Sequence, residues 1–252
     1  MTTIGRAGQR LVHTGCVALL VGACAVGPGG GDSSATPSPS VRDGSPTVDP
    51  SPGASVSPLR DQGSTGILTP GTYVLDDFPV DLTFDIPEGD PPGWHVGKST
   101  PDAAVLLWFT PPEISWGVAF WNVDNVYVDP CDAAAGELEP PPGPSVDDLV
   151  AALANLPHFQ ATDPVDVSVG SFDGKQIELT AFDTADACPQ AIAWSAGADK
   201  TDLSPGDSIS AQILDVAGVR IVVTAFHSEQ DDAVIEAELQ QILDSIRIGP
   251  DS

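Results

Sequence analysis

Positive charge is what this chain has least of. Nine Lys and Arg stand against 36 Asp and Glu, for a net charge of −27. Nucleic acid is thereby excluded as a partner, and so is adhesion to anionic headgroups. Phosphate contacts need basic side chains, and so acidic a surface repels polyanions. Signature motifs of catalysis are missing too: no G-x-S-x-G, H-E-x-x-H or P-loop occurs. His95, His158 and His227 show no metal-ligand spacing, and none adjoins a Ser or Cys in a nucleophile arrangement. No cofactor or metal is expected on these grounds. Nor is any apolar run long enough for a membrane-spanning helix, which needs about 20 residues.

What is present begins with an export signal. Arg6 and Arg10 precede an apolar stretch over 11–23, interrupted by His13 and Thr14, and no acid occurs before Asp32. That is the basic-then-apolar order of a signal peptide. Val21-Gly22-Ala23-Cys24 resembles a bacterial lipobox. The resemblance implies a signal peptide over 1–23, a diacylated Cys24 as mature N-terminus, and attachment to the extracytoplasmic face of the cell membrane. A thiol is the soft nucleophile that thioether formation needs. Two acyl chains, at roughly 0.8 kcal/mol per buried methylene, suffice for stable anchoring. Two alternatives stand beside it. Ala23-Cys24-Ala25 also fits an A-x-A site that releases a soluble protein, and Cys16 is a second thiol, although His13 then holds a place that wants an aliphatic side chain.

Residues 24–63 read as a disordered stalk. Gly27-Pro28-Gly29-Gly30-Gly31 opens it, and Ser, Thr and Pro dominate from Ser33 to Pro58. Such a segment buries too little apolar surface to offset its ordering entropy. Residues 64–252 then fit one acidic domain by length, holding all five Trp and both Tyr. With the signal removed and Cys24 acylated, Cys131 and Cys188 are left, and an even pair outside the cell is most simply a disulfide.

Strand signals open the domain. Residues 71–75 and 80–86 are short and bounded by Pro or Asp, and the second alternates Val80, Leu82, Phe84 and Ile86 with polar neighbours. Residues 103–109 are continuously apolar, which predicts a strand buried on both faces. Over 117–123, Val118 and Phe120 take one face while Ala119, Trp121 and Val123 take the other. Ser145 followed by Asp147 and Asp148 predicts a helix start, with Val146, Leu149, Val150 and Leu153 as one apolar stripe. Asp173-Gly174 predicts a hairpin between 165–172 and 175–182. Further strands are predicted over 191–194, 208–216 and 219–226, the last two turning at Ala217-Gly218. A second helix is predicted from Ser228, with Asp231 at capping-box spacing, burying Ile235, Leu239, Ile242 and Leu243. Strands in runs rather than in alternation with helices predict an α+β fold, its sheet mainly antiparallel, with two principal helices packed on it.

Pro91-Pro92-Gly93-Trp94, the mid-domain helix, the glycine-turned hairpin and the closing Ile242-Leu243-Asp244-Ser245-Ile246-Arg247-Ile248 resemble uncharacterised actinobacterial lipoproteins whose domain is similar to a PsbP-like α/β/α sandwich. The resemblance spans roughly 66–249 and implies a non-enzymatic module of the cell envelope that binds a protein or small ligand. Its alternatives are a hydrolase of cell-wall glycan working through paired carboxylates, and an extracytoplasmic sensor domain. Trp94, Trp116 and Trp121 are the candidate ligand-binding residues, as aromatic faces suit sugars and apolar ligands. Strand geometry sends Trp116 and Trp121 to opposite faces, which argues against one platform. Asp124, Asp129 and Asp132 carry hard oxygens, but not at EF-hand spacing, and read as a solvated acidic loop.

Overall fold

The computed structural model describes residues 56–63, 66–89, 93–110, 113–182, 188–227 and 233–249. The signal peptide, Cys24, the stalk up to residue 55, Pro91-Pro92 and the expected helix start at Ser228 and Asp231 lie outside the described residues. In chain order the strands are β1 (Ser57–Pro58), β2 (Gly71–Leu75), β3 (Leu82–Ile86), β4 (Trp94–Ser99), β5 (Ala103–Thr110), β6 (Glu113–Trp121) and β7 (Asn125–Val126). Helix α1 (Val146–Ala154) follows, then β8 (Phe159–Ala161), β9 (Val165–Val169), β10 (Phe172–Ala181), β11 (Ala191–Ala196), β12 (Asp199–Leu203), β13 (Ser208–Val216) and β14 (Val219–His227). Helix α2 (Ala233–Asp244) and β15 (Arg247–Ile248) close the chain.

The fold is α+β and mostly antiparallel, with two helices. Its centre is an eight-stranded sheet in the order β4-β5-β6-β14-β13-β10-β8, with β9 also on β10. One face carries the sheet β1-β2-β3-β15 and α2; the other carries α1 and the sheet β12-β11-β7. Among the paired strands described, β1 and β2 alone run parallel.

Side-chain alternation explains why the central strands are apolar throughout. Along β5, Ala104 and Leu106 enter the first core and Ala103 the second; along β6, Val118 and Phe120 face the first, Ala119 and Trp121 the second. In β14, Ile221 and Val223 pack one way and Val222 the other, each 1% exposed. Strands covered on both faces need apolar residues at every position, so the period-two pattern vanishes. The first core centres on Phe84 stacked on Phe120 at 5.4 Å. In the second, Trp121 meets Trp194 edge-on at 6.1 Å above Leu149, Leu153 and Ile213.

Helix α1 begins as its sequence dictates. Ser145 Oγ accepts from Asp148 N at 3.1 Å, and Asp148 Oδ2 accepts from Ser145 N at 3.1 Å, a reciprocal capping box. Leu149, Val150 and Leu153 are buried against β10 and β13. Arg220 fastens the segment before the helix, donating to Gly143 O and Ser145 O and, from its other terminal nitrogen, to Val123 O.

Two expectations are corrected. The stalk does not run to residue 63: β1 pairs with β2, and Leu59 is fully buried in the first core, so the folded part begins by Ser57. One leucine with a sheet edge to land on outweighs a Pro-rich composition. The hairpin between β9 and β10 turns at Gly170-Ser171, not at Asp173-Gly174. Gly170 has φ 60°, as the first central residue of a tight hairpin turn requires. Gly174 instead sits inside β10, where a Cβ would meet Ile213 O at 2.1 Å. It is a close-approach glycine.

Candidate functional site

Two strands that the sequence pattern did not reveal, β4 and β12, join β5, β6, β13 and β14 in lining a concavity. Helix α1 covers the second face of the central sheet over β8, β10 and β13. It does not reach β4 and β5, and there β12 arches across instead. Each end of that strand is pinned. At its start, Asp199 Oδ1 accepts from Lys98 Nζ at 2.6 Å and Asp199 Oδ2 from Thr100 Oγ1 at 2.8 Å. At its end, Ser204 N donates to Asp207 Oδ2 and Asp207 N to Ser204 O, each at 3.0 Å. This turn feeds straight into β13. Between the pins, a cavity of about 430 Å³ opens under the strand.

A β-bulge puts Lys98 there. Val96 pairs with Leu106, and the next pairing is Lys98 with Val105, which leaves Gly97 as the extra residue. Regular alternation would send Lys98 to the first core. The bulge turns it to the cavity side instead. Burial pushes the Asp199 carboxyl upward; the hydrogen bonds from Lys98 and Thr100 and the lysine charge outweigh it, and hold that carboxyl below its ordinary 3.8.

The walls are apolar: Val105, Leu107, Trp121, Leu203, Ile209 and Phe226. Their polar floor is satisfied internally. Trp121 Nε1 donates to Thr224 Oγ1 at 3.0 Å, and Thr224 Oγ1 donates to Ala119 O at 3.4 Å. Lys200 and Asp202 stand exposed on the rim. Thr201 lies between them at 5% exposure, and its buried Oγ1 has no hydrogen-bond partner.

The three candidate tryptophans are not brought together. Trp94 is buried in the first core, on the far side of the central sheet, with Nε1 donating to Glu238 Oε2 at 3.2 Å and Trp108 edge-on at 5.9 Å. Trp121 walls the cavity. The Trp116 backbone lies in β6 opposite Trp108, and its side chain is outside the described residues. Sequence reasoning missed Lys98, Thr201 and Leu203. The available signal was slight: Lys200-Thr201-Asp202-Leu203 alternates polar and inward-facing residues after Gly197, whose φ is 57°.

Cys131 and Cys188 form a disulfide with Cα atoms 5.0 Å apart. The acidic loop beside it is engaged by backbone N–H groups: Asp124 Oδ2 accepts from Gly197 N, beyond β11, while Asp129 Oδ1 accepts from Cys131 N and Asp132 Oδ1 from Ala134 N within the loop. Asp129, Cys131 and His158 converge, but the Cys131 sulfur is spent in the disulfide and is no thiolate ligand. No helix among the described residues is long and apolar enough to cross a membrane. No family model matches the chain, and no curated protein matches it at a significant level.

Proposed function

We propose that this chain is a lipid-anchored binding protein of the bacterial cell envelope, which holds a small, mostly apolar molecule in the cavity beneath β12. The cavity itself carries the reading. Its 430 Å³ falls in the range of small-ligand sites, about 300–1,000 Å³, and its apolar walls are joined by polar and charged residues, Lys98, Lys200, Asp202 and Asp207 among them. Support also comes from the anchors of β12, which hold the walls apart on a rigid sheet. We read the role as binding rather than turnover: Lys98 is engaged with Asp199, and Thr224 with Trp121 and Ala119. Residues 1–24 support an address outside the cytoplasm, with Cys24 as the acylated residue.

Titration of the full-length protein in detergent with N-phenyl-1-naphthylamine, an uncharged polarity-sensitive dye, tests the binding role. Saturable enhancement is expected, and Leu107→Trp, which fills the cavity from a half-buried wall position, should abolish it. Enhancement that is absent, or indifferent to Leu107→Trp, sinks the reading. Release of reducing sugar from cell-wall glycan by the purified protein would replace it with a hydrolase. Metabolic labelling with palmitate tests the address: Cys24→Ala should lose the label and enter the medium.

A further inference from the structure

We infer that reduction of the Cys131–Cys188 bond turns the corner between β7, β8 and β11 into a zinc site, with Cys131, Cys188, Asp129 and His158 as its ligands. None of the four lines the cavity beneath β12, so this site stands apart from the binding reading.

The donors are already gathered. A carboxylate oxygen of Asp129, the sulfur of Cys131 and an imidazole nitrogen of His158 all lie within 4.8 Å of one another. His158 Nε2 is 3.4 Å from Asp129 Oδ1, and the Cys188 sulfur is bonded to that of Cys131. Zinc bonds of about 2.0–2.3 Å set the corners of a tetrahedron roughly 3.3–3.8 Å apart. The Asp129–His158 pair has that spacing as it stands. Opening the S–S bond lets the two sulfurs part, and with Cα atoms 5.0 Å apart both thiols stay within reach of one ion.

This gathering does not depend on the disulfide. Pro130 O accepts from Ile192 N at 2.9 Å, which ties the loop holding Asp129 and Cys131 to the start of β11, just past Cys188. His158 has a left-handed φ of 64°, and its carbonyl accepts from Phe182 N at 2.9 Å. Asp129 Oδ1 is fixed by Cys131 N at 2.9 Å, and ligating carboxylates are themselves hydrogen-bonded in metal sites.

The donor set chooses the metal. Two thiolates, an imidazole and a carboxylate suit zinc, whereas magnesium and calcium take oxygen. The side chains of Asp129 and His158 are each 39% exposed and Cys188 is 4% exposed, so an ion enters past the first two and is closed off behind by the third.

Metal and cross-link exclude each other. A dithiol reductant gives the disulfide two electrons and two protons, leaving both cysteines as thiols and itself becoming a disulfide. Zn²⁺ then displaces a proton from each thiol to solvent. A two-electron oxidant reverses this, closing the S–S bond and releasing the ion. The chain is synthesised with both thiols reduced, so the zinc-binding state precedes the bridge.

Zinc uptake and cobalt substitution on the full-length protein in detergent test the site, with a phosphine as reductant because it adds no competing thiol. Reduced wild type should take up a single Zn²⁺, and with Co²⁺ should show the visible bands of tetrahedral cobalt together with thiolate charge transfer. Oxidised wild type should show neither, and zinc should raise the melting temperature of the reduced protein alone. When reduced, Asp129→Asn and His158→Gln should each bind at least about tenfold more weakly. Cys188→Ser frees the Cys131 thiol and should bind cobalt without any reductant. The double variant Cys131→Ser, Cys188→Ser should not bind, which separates this site from the thiols of Cys16 and Cys24. Equal uptake by oxidised and reduced wild type overturns the inference, as does uptake that survives the double variant. So does full affinity in Asp129→Asn and His158→Gln, or reduced wild type that takes up no zinc, whether or not it stays folded.

Discussion

Replacing Cys131 and Cys188 together by alanine measures what the cross-link does for stability. The bond joins the loop after β7 to the segment entering β11, across 57 positions. In the unfolded chain, closing such a loop removes conformational freedom corresponding to about 4 kcal/mol near 25 °C. In the folded chain the two ends are held together without it. Ile192 N donates to Pro130 O at 2.9 Å, and Trp194 pairs with Val126 across β11 and β7. The native state therefore changes little, apart from the packing of the nearly buried Cys188 sulfur, and the loss falls on the unfolded ensemble. For a folded part of this size, 4 kcal/mol lowers Tm by about 8–16 °C. The urea m value should rise as well, because an unbridged chain exposes more surface on unfolding. Thermal and urea unfolding at neutral pH read both quantities. A loss below about 1 kcal/mol with an unchanged m value would refute the reasoning, since the cross-link would then not be restricting the unfolded chain.

Acid should loosen the arch over the cavity. Asp199 and Asp85 are both held below 3.8, each against the upward push of burial: Asp199 by Lys98 and Thr100, Asp85 by Thr72 and Arg247. A lowered folded-state carboxyl contributes stability that is fully present above its unfolded value and lost as pH falls through its folded one. Wild type should therefore lose stability relative to Asp199→Asn as pH falls below 3.8, and parallel urea-midpoint curves from neutral pH downward would count against this. Ser145→Ala removes the acceptor of Asp148 N and should cost about 1 kcal/mol, read from urea midpoints, while α1 keeps its span. A variant of undiminished stability would show that water caps the helix equally well.

Much of the fold was legible because its signals are local. A Ser three residues before Asp148 writes its own cap, and Ala217-Gly218, at φ 53° and 90°, writes its own turn. The apolar runs of β5 and β6 announced burial on both faces, as two cores require. Other elements depend on partners far along the chain. Leu59 is core because β2 offers an edge near it, and Gly174 is a glycine because β13 comes close, not because β10 turns. Strand β12, with four charged or polar residues and one apolar one, carries no strong propensity of its own. It is a strand because β11 pairs with it and Lys98, 101 positions away, ties it down.

The candidate site shows the same division. Trp121 stood out as an aromatic, but nothing near it in sequence says that it walls a cavity while Trp94 is sealed behind the opposite sheet face. By itself, the order of residues determined the acidic composition, the cysteine pair, the cap of α1 and the two-faced central strands. All of these are properties of neighbours along the chain or of composition. Tertiary structure alone decided where the folded part begins, which turn closes β9 on β10, and that a bulged Lys98 and a buried Thr201 meet across one hollow. Those depend on pairings between distant segments, whose closeness no local pattern encodes.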